Sequence, residues 1–297
     1  MNKPKLIPRL IGGLGNQLFI YSAARRLALV NNADLAIDTV TGFTYDTLYR
    51  RKYQLEHFNI PCRTATADER LQPFTQLRRA FKAKWNQNLS FAQRRYIVQE
   101  GIDYDPRLLD YKPQGTVYLE GYWQSEKYFK DVELIIRQDL QIRPPKDDKN
   151  LDMAKSILYG PSVAIHVRFF DELYSTSINN VPIDYYANAV KKMEQLAPYS
   201  HYFIFSDQPE VAKTRISLPE ERVTLVTHNK GDENAFADLW LMSQCQHFII
   251  ANSTFSWWAA WLKVNPDKIV IAPGFEKRVG NAWWGFDGLL PEKWVKL

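Results

Sequence analysis

Cysteine is nearly absent. Cys62 and Cys245 are the only two in 297 residues, too few for a disulfide framework and without the CxxC spacing that holds zinc. Long apolar runs are absent as well: no stretch approaches the roughly 20 apolar residues that a bilayer-crossing helix needs. The opening MNKPKLIPRLIGGLG has two prolines and no sustained apolar core, which argues against a secretory leader. The 13 glycines and 16 prolines follow no period, and 45% of residues are hydrophobic, so collagenous, low-complexity and disordered chains are excluded. No HExxH, Walker A loop or nucleophile elbow occurs, and no internal repeat is visible. The expectation is a cytoplasmic, enzyme-sized protein with two domains, at about 150 residues per domain.

Acidic residues are missing from one segment in particular. Residues 1–150 carry 24 Lys and Arg against 17 Asp and Glu, whereas residues 151–297 carry 14 against 16. Much of the excess lies in residues 70–95, where Arg70, Arg78, Arg79, Lys82, Lys84, Arg94 and Arg95 have no acid among them. Leu71, Phe74, Leu77, Phe81, Trp85 and Leu89 recur there every three or four residues, the spacing of an amphipathic helix with a basic outer face. Two readings stand: a solvated helix face, or a surface resting on anionic lipid headgroups at the inner membrane. Nucleic acid fits poorly, because no recognition-helix or aromatic-interleaved basic sheet accompanies the charge.

What the chain does contain is alternation of strand and helix. KLIPRLI (5–11), a glycine turn, the helical NQLFIYSAARRLALV (16–30) and ADLAID (33–38) open the chain; TVYLEGYW (116–123) and KYFKDVELIIRQDL (127–140) follow. A polar, proline-bearing segment from Arg143 to Lys149 reads as a linker. Beyond it, apolar runs at 162–167, 202–206, 223–226, 247–251 and 268–272 alternate with helical patterns at 183–197, 209–216, 233–245 and 255–264. This order predicts α/β architecture with parallel, doubly wound sheets. The expected domains are 1–146 and 147–297, facing a cleft toward which the strand carboxyl ends point; a last helix packing back on the first domain is allowed. Ligands of such sheets bind at those ends, so function is expected in the loops after the strands.

Several loops carry chemistry. Gly12-Gly13-Leu14-Gly15-Asn16-Gln17 fails as a dinucleotide fingerprint, since the third glycine falls at Leu18, although Asp38 lies near the right distance. The turn can serve as a tight bend only, or can let backbone and the amides of Asn16 and Gln17 approach a ligand. His166 and Arg168 alternate onto one face at the end of a buried strand. A guanidinium there suits a phosphate, or it pairs with a carboxylate such as Asp171. Asn252-Ser253-Thr254-Phe255 joins a strand to a helix, where hydroxyls cap free amides and the positive end of the helix attracts anions. Two phosphate-complementary features in one sheet make a diphosphate the natural ligand. Asp103-Tyr104-Asp105 is a DxD, the rival signal, which would hold a metal.

These residues resemble the bacterial α-1,2-fucosyltransferases of glycosyltransferase family 11, over nearly the whole chain. The resemblance rests on GGLGNQLF (12–19), YLEGYWQSEKYF (118–129), HVRFFD (166–171), FIFSD (203–207) and LMSQCQHFIIANSTFSWWAAWL (241–262). It implies a GT-B fold of two Rossmann-like domains, GDP-β-L-fucose as donor, a terminal β-galactoside as acceptor, and inversion to an α-1,2 linkage without metal or cofactor. The setting it implies is O-antigen or lipopolysaccharide synthesis, with an acceptor that can be lipid-linked. In the HxRRxD pattern His166, Arg168 and Asp171 match, but the second arginine is Phe169; the SDD after the FxFS strand reads Ser206-Asp207-Gln208. By resemblance Arg168 meets the diphosphate, and His166, Ser206, Asp207, Asn252, Ser253, Thr254, Phe255, Gly13 and Asn16 surround the donor. Related enzymes carry a guanine-reading aspartate sixteen residues before the hydroxyl pocket, which is Asp238 here. Asp171 and Glu172 are the candidate bases by position, with Asp171 alternatively orienting Arg168. Gln17, Tyr122, Trp123 and Gln124 are expected on the acceptor side. A metal-dependent transferase using Asp103 and Asp105, and a non-catalytic nucleotide- or glycan-binding protein, are the competing readings.

Overall fold

A computed structural model describes residues 3–47, 49–169, 181–182, 184–274 and 284–297. The chain forms two compact units, Met1–Gln141 with Asp287–Leu289, and Ile142–Phe286 with Leu290–Leu297. The division falls ahead of the segment read as a linker. Asp147 already caps a helix of the second unit, its carboxylate accepting from the Asn150 amide. Asp287–Leu289 join the first unit through backbone: Tyr104 N–H donates to the Asp287 carbonyl and the Ser125 hydroxyl to that of Gly288.

The first unit is built on five parallel strands, β1 (Lys5–Pro8), β2 (Asp34–Ile37), β3 (Arg63–Thr64), β4 (Tyr96–Val98) and β5 (Thr116–Glu120), in the order β3-β2-β1-β5-β4. Helix α1 (Leu14–Val30) returns from β1 to β2, α2 (Thr75–Gln87) precedes β4, and α3 (Glu133–Asp139) follows β5. Ile7, Ala36, Tyr96 and Tyr118 pack on one face, where Ala83 of α2 meets them; α1 packs on β1 and β2. The amphipathic spacing of α2 was expected to bury its apolar stripe. The opposite occurs: Phe74, Leu77, Phe81 and Trp85 are exposed, and the buried side chains of the helix are the polar Arg79 and Asn86.

The second unit has six parallel strands, β6 (Ser162–Val167), β7 (His201–Ser206), β8 (Val223–Val226), β9 (His247–Ile249), β10 (Val270–Ala272) and β11 (Val295–Lys296), ordered β11-β10-β9-β6-β7-β8. Its helices are α4 (Asp148–Leu158), α5 (Tyr185–Leu196), α6 (Pro209–Lys213), α7 (Ala235–Gln244) and α8 (Thr254–Leu262). Val163, Ile165 and Val167 share a buried cluster with Tyr186, Ala189 and Met193 of α5 and Ala212 of α6. The alternate residues Ala164, Phe203, Phe205 and Phe248 are equally buried, so both faces are covered, as continuous apolar strands require. Among the described residues no helix is long and apolar enough to cross a membrane.

Candidate active site

In the second unit the chain starts at β6, winds outward through β7 and β8, then returns to β9 on the other side of β6. The crossovers diverge between β6 and β9, and that switch point leaves a crevice outside their carboxyl ends. The loops expected to bind phosphate both open there, Arg168 directly after β6 and Asn252–Phe255 after β9.

Arg168 is tied down by a residue 39 positions further along the chain, just past β7. Its Nη1 lies 2.9 Å from Asp207 Oδ2, and Asp207 Oδ1 accepts from the Phe169 amide at 3.1 Å. Ser206, hydrogen-bonded to Asp207 and to the Gln208 amide, braces the same turn. Asp207 and Ser206, expected at the donor, therefore hold the arginine. The expected bases Asp171 and Glu172 lie outside the described residues. Phe169 is buried, and the guanidinium of Arg215 sits 4.6 Å from its ring centroid. A cation from beyond α6 thus approaches the position where the family pattern has a second arginine, a contact between distant segments that no local motif announces.

His166 points to the same side as Arg168, its ring 5.5 Å from that of Phe255. Burial, aided by the nearby Arg168 charge, lowers its pKa to about 3, so the imidazole is neutral at physiological pH. Its Nδ1 is buried without a hydrogen-bond partner among the described residues. Ser253 caps α8, its hydroxyl accepting from the Phe255 amide at 3.3 Å; the first amides of a helix have no intrahelical acceptor and carry its positive dipole end. Behind these loops stand two adjacent tyrosines of α5. Tyr186 donates to the His166 carbonyl and Tyr185 to that of Ile250, fixing the ends of β6 and β9 together. Asp238 lies in the first turn of α7, which packs on α8. Asn229 donates to its carboxylate at 2.8 Å, yet burial raises its pKa to about 7.

In the first unit, β1 and β5 flank the equivalent switch point. Gly12 adopts φ +74°, and a Cβ there would come 2.6 Å from Asn16 Nδ2. Asn16 in turn accepts from Gln124 at 2.8 Å, joining the loops after the two strands. Two expected acceptor contacts need correction. Gln17 is fully buried, donating to the Gly12 and Lys52 carbonyls and accepting from the Gln54 amide, so its amide is consumed internally. Trp123 is also fully buried, edge-on to Tyr128 at 5.6 Å, so it presents no stacking face. Tyr122 is half-buried beside them. Gly121 and Trp123 both adopt positive φ, and Gln99 Oε1 accepts from the Tyr122 and Trp123 amides; strain held this way is a mark of functional loops.

The same edge holds a charge cluster that the sequence did not advertise. Arg79 reaches Asp38 at 2.6 Å and Glu120 at 2.8 Å, and Arg9 lies 3.3 Å from Glu120. Asp38, fully buried, also accepts from the Val40 and Thr41 amides, so it is not a ribose ligand. Arg9, Thr41, Arg79 and Glu120 line a cavity of about 1040 Å³. The DxD is spent on structure: Asp103 accepts from the Asp287 amide, and Asp105 pairs with Arg107 at 2.6 Å while accepting from its amide. An arginine on the second carboxylate leaves that pair unsuited to a divalent cation.

An arginine and a helix amino end after two strands of one sheet invite comparison with known proteins, and residues 67–278 match Glycosyl transferase family 11. The chain belongs to that family. An Escherichia coli alpha-1,2-colitosyltransferase is 30% identical to this family 11 chain over 301 residues, 98% of each. The O-antigen biosynthesis glycosyltransferase WbnK of Escherichia coli is 25% identical, covering 89% of this chain and 92% of its own. Among solved structures, NodZ alpha-1,6-fucosyltransferase of Bradyrhizobium soaked with GDP-fucose superposes with a TM-score of 0.50 at 14% identity, over 88% of this chain and 93% of that one. An Arabidopsis thaliana FUT1 mutant in complex with GDP gives 0.51 at 15% identity, over 91% and 70%. At such identities the likeness concerns the fold, which is of the GT-B type. The family 11 chain is a glycosyltransferase with two parallel-sheet α/β units.

Proposed function

We propose that this enzyme transfers L-fucose from GDP-β-L-fucose to the 2-hydroxyl of a terminal β-galactoside, with inversion, in the synthesis of a bacterial O-antigen. One observation carries the reading: Arg168, fixed by Asp207, and the amino end of α8 flank a single switch point. Negative charge grows on the leaving β-phosphate as the glycosidic bond breaks, and preorganised donors aimed at it lower the barrier. Arg168 has five N–H donors, so one edge can stay on Asp207 while another meets the phosphate. His166, neutral, adds a hydrogen bond without competing for charge. This supply of positive potential stands in for a divalent ion, and no cofactor enters.

Asp238 reads the guanine edge in this scheme, its carboxylate accepting from N1–H and the exocyclic amine. The first unit takes the acceptor, with Asn16, Gln124 and the cavity around Arg9 and Glu120 offering hydrogen bonds to sugar hydroxyls. A base for the galactose 2-hydroxyl is assigned to Asp171 or Glu172, which follow the phosphate-binding strand. A second donor deserves equal testing, because the relative at 30% identity is named a colitosyltransferase; colitose is fucose without its 3-hydroxyl. Purified protein given GDP-fucose or GDP-colitose with β1,3- and β1,4-linked galactosides, with and without EDTA, decides the matter. The reading expects GDP release and an α-1,2-fucoside, undiminished by EDTA. GDP bound but never released from either donor would leave a binding protein, and loss in EDTA would restore the metal reading.

A further inference from the structure

Helix α2 is turned inside out relative to its sequence. At about 100° per residue, Leu77, Phe81 and Trp85 occupy one arc, flanked by Lys84 on one side and Arg78 on the other. Phe74, at the helix start, extends the stripe. Phe74, Leu77, Phe81 and Trp85 are 65–75% exposed, and Phe81 and Trp85 stack on each other at 6.4 Å. The orientation is fixed from behind. Arg79, only 5% exposed, is held by Asp38 and Glu120, so rolling the helix to bury its aromatics would strip a guanidinium from two carboxylates. Four large apolar side chains in one contiguous stripe mark an interaction surface rather than scattered exposure.

We infer that this face lies on a lipid bilayer surface bearing anionic headgroups. The charge around the stripe selects that occupant. Arg78 and Lys84, which flank the stripe, are exposed, and no acid occurs between residues 70 and 95. An apolar stripe rimmed by cations matches an interfacial helix, whose side chains enter the acyl boundary while Lys and Arg meet headgroups. A second copy of the chain is the poorer partner, because a twofold contact sets each patch against itself and would bring these cations together. Phe74 and Leu77 also line the cavity of about 1040 Å³, so the stripe and the cavity share an edge.

The test uses the whole protein and vesicles of equal parts phosphatidylglycerol and phosphatidylcholine, beside vesicles of phosphatidylcholine alone. Cosedimentation with the anionic vesicles, weakening as salt rises, is expected. Phe81→Ser with Trp85→Ser should lower that partition at least about tenfold, and Arg78→Glu with Lys84→Glu should do the same while removing the preference for anionic lipid. Both pairs should melt like the parent, since these side chains face solvent. The inference is overturned if the parent sediments equally with both vesicle types, or if the serine pair binds as the parent does. A parent dimer that the serine pair converts to monomer, without vesicle binding, would instead assign the face to a second copy. None of these readouts depends on which sugar is transferred.

Discussion

Asp238 makes the proposed donor recognition sensitive to pH in a direction that can be worked out. Burial raises its pKa from 3.8 to about 7, against the opposing hydrogen bond from Asn229. Guanine recognition needs the ionised carboxylate, so below pH 7 binding must first remove a proton. Two units lower, near pH 5, about 1% of the carboxylate is ionised, and GDP affinity should be about a hundredfold weaker than above pH 8. Asp238→Asn keeps the shape and the Asn229 contact but cannot titrate. Its GDP affinity should be low and should carry only the phosphate's own titration, which the comparison removes. Stability should move the other way. A carboxyl whose folded pKa is raised stabilises the fold fully below pH 3.8, and that contribution disappears as pH climbs through 7; over about three units it amounts to about 4 kcal/mol. His166 slopes oppositely, since its folded pKa of about 3 lies below 6.5: stability from that group is lost as pH falls from 6.5 toward 3, equally in parent and variant. Calorimetric titration with GDP between pH 5 and 8, alongside urea unfolding at the same pH values, reads both effects. Equal pH dependence of GDP affinity in parent and Asp238→Asn would refute the assignment, as would ADP binding as tightly as GDP.

Other substitutions test the remaining parts of the site and its frame. Arg168→Ala should reduce turnover about a hundred- to a thousandfold, the usual effect of removing one preorganised donor, measured as GDP release under saturating donor. Arg79→Met should destabilise the fold by about 3–5 kcal/mol in urea melts, because Asp38 is left buried without its cation; adding Asp38→Asn should recover much of that loss. Gly12→Ala should lower stability by about 1–2 kcal/mol from its left-handed backbone alone, and should raise KM for the galactoside more than for the donor, since the new Cβ displaces Asn16 from Gln124.

Much of the second unit was legible because its signals are local. The limits of β6 and β8 coincide with the apolar runs at 162–167 and 223–226, and continuous Val and Ile mark strands buried on both faces. The order of motifs along an alternating strand–helix chain also sufficed to place Arg168 and Ser253 after two strands of one sheet. Strands β3, β4 and β11, two or three residues long, offer too little pattern to detect. Helix α4 was hidden in polar sequence, its start set by the Asp147 cap. Periodicity located α2 but could not say which side faces in. That was decided by Asp38 and Glu120, each 41 residues from Arg79, a pairing that spacing within the helix cannot reveal. Gln17 and Trp123 misled for a related reason: an amide or an indole after a strand serves a ligand or a loop equally well, and only the positions of Lys52, Gln54 and Tyr128 separate the two. The same holds for the ion pair of Arg168 with Asp207, which joins the loops after two neighbouring strands and which no spacing within either loop announces.

A crystal of the protein with GDP tests the central claim most directly. The account predicts the β-phosphate within hydrogen-bond distance of the Arg168 guanidinium and of the amides opening α8, with guanine against Asp238 and no divalent ion between protein and phosphate. Diphosphate oxygens bound away from both groups, or coordinated by magnesium, would contradict it.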